Sequence, residues 1–228
     1  MTASDDNFQI ALKFTLKWEG GVGHPEDLGG VVNYGITQAT YDTYLKNKGQ
    51  GSKSVRQITQ PEVEEVYYTM YWIPSKADLM VLPLAVVQFD TAVNFSVRAS
   101  IEFLQETLGG LTVDGRFGPK SQGVLEQNNN LETAQRYCQA RIDYRYQRVQ
   151  ANPSQQIFLE GWLRRDRDLL GYVTQLGGGQ APVIDPPKPP NTPKPPNTET
   201  SKDSEILDKL QQAIALLQEV AQSLKQKD

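Results

Sequence analysis

Cysteine and histidine are almost missing from this chain. Among 228 residues there is one of each, Cys138 and His24. A lone cysteine cannot close an intramolecular disulfide, so the fold is not a disulfide-stapled scaffold. Cys138 falls in a helical pattern far from His24 in sequence, and we expect a buried, inert thiol. His24 precedes a proline and has no Cys or His cluster around it, so it reads as a loop residue; neither a metal nor an organic cofactor is expected. Basic residues are outnumbered as well, 23 Lys and Arg against 27 Asp and Glu, for a net charge of −4. Without a basic patch or stripe, nucleic acid is not the expected partner. No run approaches the roughly 18 apolar residues that a membrane helix needs, so no membrane insertion is expected. The N-terminus lacks the basic start and apolar stretch of a signal peptide, which leads us to expect synthesis in the cytoplasm.

What the chain does have is a helical core pattern. Hydrophobic residues make up 38% of it, and three Trp, ten Tyr and seven Phe are enough to build a core. Phe8, Ala11, Leu12, Thr15, Leu16 and Glu19 recur at helical spacing. Thr59-Gln60-Pro61-Glu62 fits a capping box opening a helix through Val63, Val66, Tyr67 and Met70. Pro83 opens another, carrying Val86, Val87, Phe89, Asp90 and Val93. A helix over 97–108 stops at Gly109-Gly110, Pro119 starts a short one, and 131–150 and 154–176 read as two long ones. Apart from a small hairpin around 22–36, no strands are expected. The fold class is therefore all-α.

Residues 179–202 form a proline-rich linker with Pro-Lys-Pro-Pro-Asn-Thr twice in tandem. As extended polyproline chain it can hold its ends roughly 50 Å apart. Residues 203–228 follow as an amphipathic, coiled-coil-like helix, with Leu207, Leu210, Ile214, Leu217, Ala221 and Leu224 on a heptad seam. So short a helix is marginal alone, and self-association or docking on another protein is expected of it.

Glu19 is the first candidate for chemistry. It ends the first helical stripe on the face of Leu12 and Leu16, at the edge of an apolar core, with Gly20-Gly21 behind it. Desolvation there disfavours a charged carboxyl, which suits a group that must donate a proton to a glycosidic oxygen. The bland reading is a solvated residue near a helix C-terminus, where the dipole makes a carboxylate unfavourable. The glycine-rich segment that follows holds Asp27, Asn33 and Tyr34. Asp27 reads equally as a second catalytic carboxylate and as a turn former before Gly29-Gly30. Asn33 could hold a water or a sugar hydroxyl, and Tyr34 could stack on a sugar ring. Asp90 and Asn94 share one helical face and either line a cleft or, the favoured reading, serve the structure.

Trp18-Glu19-Gly20-Gly21, His24-Pro25, Asp27, Gly29-Gly30 and Asn33-Tyr34-Gly35-Ile36-Thr37 resemble the signature of glycoside hydrolase family 108, the ZliS-type N-acetylmuramidases of phages and bacteria. Tyr68, Tyr71 and Trp72 match its Tyr-x-x-Tyr-Trp, and Phe89-Asp90-Thr91-Ala92-Val93-Asn94 its Phe-Asp-x-Ala-Val-Asn. Leu104-Gln105 and Asp114-Gly115-Arg116-Phe117-Gly118-Pro119 look like the companion predicted peptidoglycan domain. The resemblance spans residues 8–175. It implies a lysozyme-like fold, with a muramidase region over 1–95 and a peptidoglycan domain over 96–178 packed on it. It also implies cleavage of the β-1,4 bond between N-acetylmuramic acid and N-acetylglucosamine, with Glu19 as the general acid. The family usually has Thr where Val32 stands. Phage-type lysozymes place an Asp and a Thr six residues apart, the separation of Asp27 and Asn33, and by that analogy Asn33 could hold the water.

Tyr34, Asp90, Asn94 and Trp72 are the candidates for substrate contact. Arg164-Arg165, near Trp162, reads either as contacts to carboxylate or lactyl groups of the wall or as a solvated basic face. The expected partner is peptidoglycan. The expected setting is a phage or prophage lysin, reaching the wall after holin-type release or as a virion or injection-device component. The alternative is a non-catalytic, peptidoglycan-binding or structural part of a tail, baseplate or injection device, favoured by Val32 and the heptad tail.

Overall fold

The computed structural model describes residues 3–19 and 32–179. Residues 1–183 belong to one compact unit and 184–228 to a second. The proline-rich segment from residue 180 onward and the amphipathic helix expected over 203–228 therefore lie outside the described residues, as does the segment over 20–31 that holds His24 and Asp27.

The described part of the first unit is helical apart from one small hairpin. Helix α1 (Ala3–Glu19) buries Phe8, Ala11, Leu12, Phe14 and Thr15. Strands β1 (Val32–Asn33) and β2 (Ile36–Thr37) pair antiparallel, with Asn33 opposite Ile36. The hairpin thus sits at the C-terminal edge of the expected segment. Its two turn residues, Tyr34 and Gly35, both have positive φ, +52° and +74°, as a type I′ turn requires. Helix α2 (Gln38–Asn47) has no counterpart among the sequence expectations. Thr37 is its cap and accepts a hydrogen bond from the Thr40 amide, and Tyr41, Tyr44 and Leu45 face the core.

Helix α3 (Gln60–Tyr67) begins with both arms of the expected Thr59–Glu62 capping box. It runs into a π-helical turn over Tyr68–Trp72. Such turns re-aim side chains within a helix and are frequent at functional sites. Helix α4 (Leu82–Asn94) is buried at every position from Pro83 to Ala92. A helix apolar on all sides belongs at the centre of a core, and α1, α5, α7 and α8 all pack against it. Helices α5 (Val97–Leu108), α6 (Pro119–Asn128), α7 (Leu131–Ala151) and α8 (Gln156–Leu176) complete the described residues. Hydrogen bonds join Gln135 to Thr174 and Arg145 to Asp166, so α7 and α8 run antiparallel. Cys138 is buried in α7, and burial pushes its thiol well above the ordinary range. The described architecture is all-α, and the helices on either side of residue 95 share one core.

Candidate active site

Glu19 is the last residue of α1, and four elements meet around its side chain. The β1–β2 turn lies against it. A Cβ built on Gly35 would come within 2.8 Å of Glu19 Cβ and of the Tyr67 hydroxyl, and within 2.9 Å of Glu19 Oε2. Only glycine fits this close approach, and its φ of +74° is one that glycine adopts freely. From α3, the Tyr67 hydroxyl donates to the Tyr34 carbonyl at 2.7 Å and pins the turn. Burial, and after it the negative charge of Glu19, pushes the Tyr67 phenol far up, so it remains a donor. From the π turn, Tyr71 is likewise pushed up by burial; Thr40 opposes and Glu19 adds to the shift. From α8, Arg165 Nη2 lies 2.7 Å from Glu19 Oε1.

The two oxygens of Glu19 are not equivalent. Oε1 is buried and has no well-aligned hydrogen bond, because Arg165 approaches it off the line of its N–H bonds. The side chain as a whole is 19% exposed, so its contact with solvent comes through its other atoms. Oε2 faces the Gly35 turn.

Behind Glu19 lies a buried ionic network. Asp90 accepts from Arg165 at 2.7 and 3.3 Å, from Arg141 at 2.9 Å and from the Thr15 hydroxyl at 3.2 Å. Asp166 accepts from Arg141 at 2.5 Å and from Arg145 at 2.9 Å. Burial alone would push the Asp90 carboxyl up, but Arg165 and then Arg141 outweigh it and hold it below its ordinary value. Three guanidiniums thus face three carboxylates, Glu19, Asp90 and Asp166. That balance is what lets charges persist without solvent, since removing one partner would strand another.

Of the two readings of Asp90 and Asn94, the network takes the structural one, and Trp72 and Arg165 differ from expectation. Asp90 is completely buried and serves the ion pairs, with no surface for a substrate. Asn94 Oδ1 accepts from Arg145 Nη2 at 2.5 Å and belongs to the same network. Trp72 is 1% exposed and packs edge-on to Phe8 and Phe89, with ring centroids 5.6 Å apart in both pairs, so its faces cannot receive a sugar. Arg165 is neither a solvated residue nor a wall contact, whereas Arg164 is exposed. Asn33 is buried and its amide donates to the Val55 carbonyl at 3.2 Å. Tyr34 is 39% exposed beside Glu19. Its positive φ is uncommon for a bulky residue, and such strain gathers at functional sites. Among the described residues, no group of three or more His, Cys, Asp or Glu is placed to hold a metal ion.

Beyond α5, Gln105 clamps the Asp114-Gly115-Arg116 turn. Its Oε1 accepts from the Asp114 and Gly115 amides, and its Nε2 donates to Asp114 Oδ1 and the Arg116 carbonyl. An open cavity of about 670 Å³ lies beside this turn and the start of α6.

Residues 12–95 match the model of the glycosyl hydrolase 108 family, and residues 99–167 match that of the predicted peptidoglycan domain. The first match spans 84 residues of the chain and the second follows it directly, the order in which the sequence motifs of the two stand. Together the two matches support a peptidoglycan hydrolase. Among solved structures it is similar to SagA of Brucella abortus, with a TM-score of 0.63 at 22% identity over 76% of this chain and 97% of that one. At that identity the likeness shows a shared fold. No curated protein matches the chain. Glu19 and Asp90 fall in the hydrolase match, whereas Arg141, Arg145, Arg165 and Asp166 fall in the peptidoglycan-domain match. The ionic network therefore joins the two.

Proposed function

We propose that this protein is a lysozyme-type N-acetylmuramidase of the glycosyl hydrolase 108 kind and that Glu19 is its general acid. The observation that carries the reading is the placement of the Glu19 carboxyl. It ends a helix at the edge of the core, keeps partial exposure, and has Oε1 set toward Arg165 and Oε2 toward the Gly35 turn. In this reading Glu19 protonates the glycosidic oxygen between N-acetylmuramic acid and N-acetylglucosamine as the C–O bond breaks. Water adds to the anomeric carbon and gives up its proton. Asn33 has no ionisable group and can only position that water; in this reading Asp27 is the carboxylate that receives the proton. Tyr34, exposed and held in place through its carbonyl, offers a ring face to a sugar.

Muropeptide release by the full-length protein and by Glu19→Gln tests this. Loss of a positioned general acid should lower kcat by about 10²–10⁴-fold. Equal release by both proteins would remove Glu19 from the role, and release of anything but muramic-acid reducing ends would refute the bond assignment. The proline-rich tether and heptad helix suit attachment to a larger assembly, so we read the chain as a phage or prophage lysin. Immunodetection in purified virions separates a mounted lysin from a freely released one.

A further inference from the structure

We infer that Arg165, which comes from the peptidoglycan domain, is a positioning residue for Glu19, so that this second domain completes the hydrolytic site. The inference rests on the reading of Glu19 as the general acid.

Glu19 needs a hold from outside its own helix. It is the last residue of α1, and helix ends fray. Helix α8 grips this final turn at three successive residues. Lys17 Nζ and Trp18 Nε1 donate to Asp168 Oδ2 at 2.8 and 2.9 Å, and Arg165 Nη2 meets Glu19 Oε1 at 2.7 Å. Arg165 and Asp168 are three residues apart on α8 and share one face of it.

Arg165 is rigid enough to set a geometry. Its Nη2 and Nε reach the two oxygens of Asp90, and its side chain is 9% exposed. Asp90 is fixed in turn by Arg141 and Thr15. Arg165 is shared between Asp90 and Glu19, so the guanidinium lies beside Glu19 without being its dedicated counter-ion. Its effect is to engage Oε1 and leave Oε2 as the oxygen that hands over the proton. A lysine offers one compact charge and cannot span Asp90 and Glu19 as the planar guanidinium does.

If Arg165 only balanced Asp90, any damage to the network would act alike. Arg145 provides the comparison: it bonds Asp166 and Asn94 within the same network and is not among the groups that meet Glu19. We would prepare full-length Glu19→Gln, Arg165→Lys, Arg165→Gln and Arg145→Lys. Tm, kcat, KM and a pH–rate profile would be measured for each, well below its own Tm. Arg165→Lys should lose roughly 10–100-fold in kcat with KM little changed, the consequence of a misplacement near 1 Å. Arg145→Lys should lose as much stability yet keep its kcat.

Among the described residues, the groups facing Glu19 are Arg165 from α8, Tyr67 from α3 and Tyr71 from the π turn, with Asp90 of α4 on the far side of Arg165. Arg165→Gln removes the cation among them, and the alkaline limb of its profile should move to higher pH. Should Arg165→Gln, which strands Asp90, fail to fold, the kcat of Arg165→Lys set against Arg145→Lys carries the test. Parental kcat in Arg165→Lys, losses of kcat that track stability equally in Arg165→Lys and Arg145→Lys, or an unmoved limb in Arg165→Gln would each overturn the inference. An active Glu19→Gln would instead overturn the assignment of the acid on which the inference rests.

Discussion

Replacing Gly35 with alanine tests the packing of the site in a single methyl group. The new Cβ would stand 2.8 Å from Glu19 Cβ and from the Tyr67 hydroxyl. Neither neighbour is the loose end of a flexible chain. One is anchored directly to the helix backbone, and the other is a hydroxyl held to the Tyr34 carbonyl at 2.7 Å. A left-handed backbone costs an alanine about 1–2 kcal/mol, and forcing extra volume into a packed site costs about 1–3 kcal/mol more. Gly49 separates these two contributions. Its φ is +68°, and a Cβ there would meet nothing within 4 Å. Gly49→Ala should therefore lose only the backbone part. For a domain of this size 1 kcal/mol corresponds to roughly 2–4 °C, so thermal melts should put Gly35→Ala several degrees below Gly49→Ala. Relief of the overlap also moves the Glu19 side chain by several tenths of an ångström. We expect roughly 10–100-fold lower kcat for muropeptide release, since misplacement near 1 Å costs about 10²-fold, with Gly49→Ala unaffected. If the two alanine variants match in both Tm and kcat, the close approach of the turn to Glu19 has no consequence and the reasoning fails.

Two further predictions concern the surroundings. The Glu62 carboxyl is held down to about 2, first by the Lys53 hydrogen bond and then by the Thr59 amide. A depressed carboxyl stabilises the fold above its unfolded value and loses that contribution as pH falls through the folded one. Glu62→Gln should thus be less stable than the parent near neutral pH in urea titrations, with the gap closing as pH drops from about 4.5 to about 2; a gap that is the same at every pH would contradict this. Trp72→Phe should cost about 1–3 kcal/mol of stability and leave KM for peptidoglycan unchanged. A raised KM with an unchanged Tm would return Trp72 to the substrate.

The local signals in the sequence led to local structure. Thr59 and Glu62 are three residues apart, and a capping box needs nothing more distant. Gly109 and Pro119 likewise end and begin helices by their own backbone preferences. Helix α2 carries its own signature in the Thr37 cap and the Tyr41, Tyr44, Leu45 spacing, yet the sequence expectations contain no helix there. Trp72 was misread for a different reason. A motif shows that an aromatic is wanted, but not whether its ring faces solvent or Phe8 and Phe89.

By itself the sequence determined the helices, the glycine turn and the position of Glu19 at the edge of an apolar stripe, since each depends on residues within a few positions of one another. Only the tertiary structure decided what surrounds that carboxyl. Asp90 meets Arg141 and Arg165 across 51 and 75 residues of chain, and no spacing rule reaches that far. A buried arginine and a solvated one are identical in sequence. Packing α8 against α1 and α4 took Arg165 out of water and set it against Glu19.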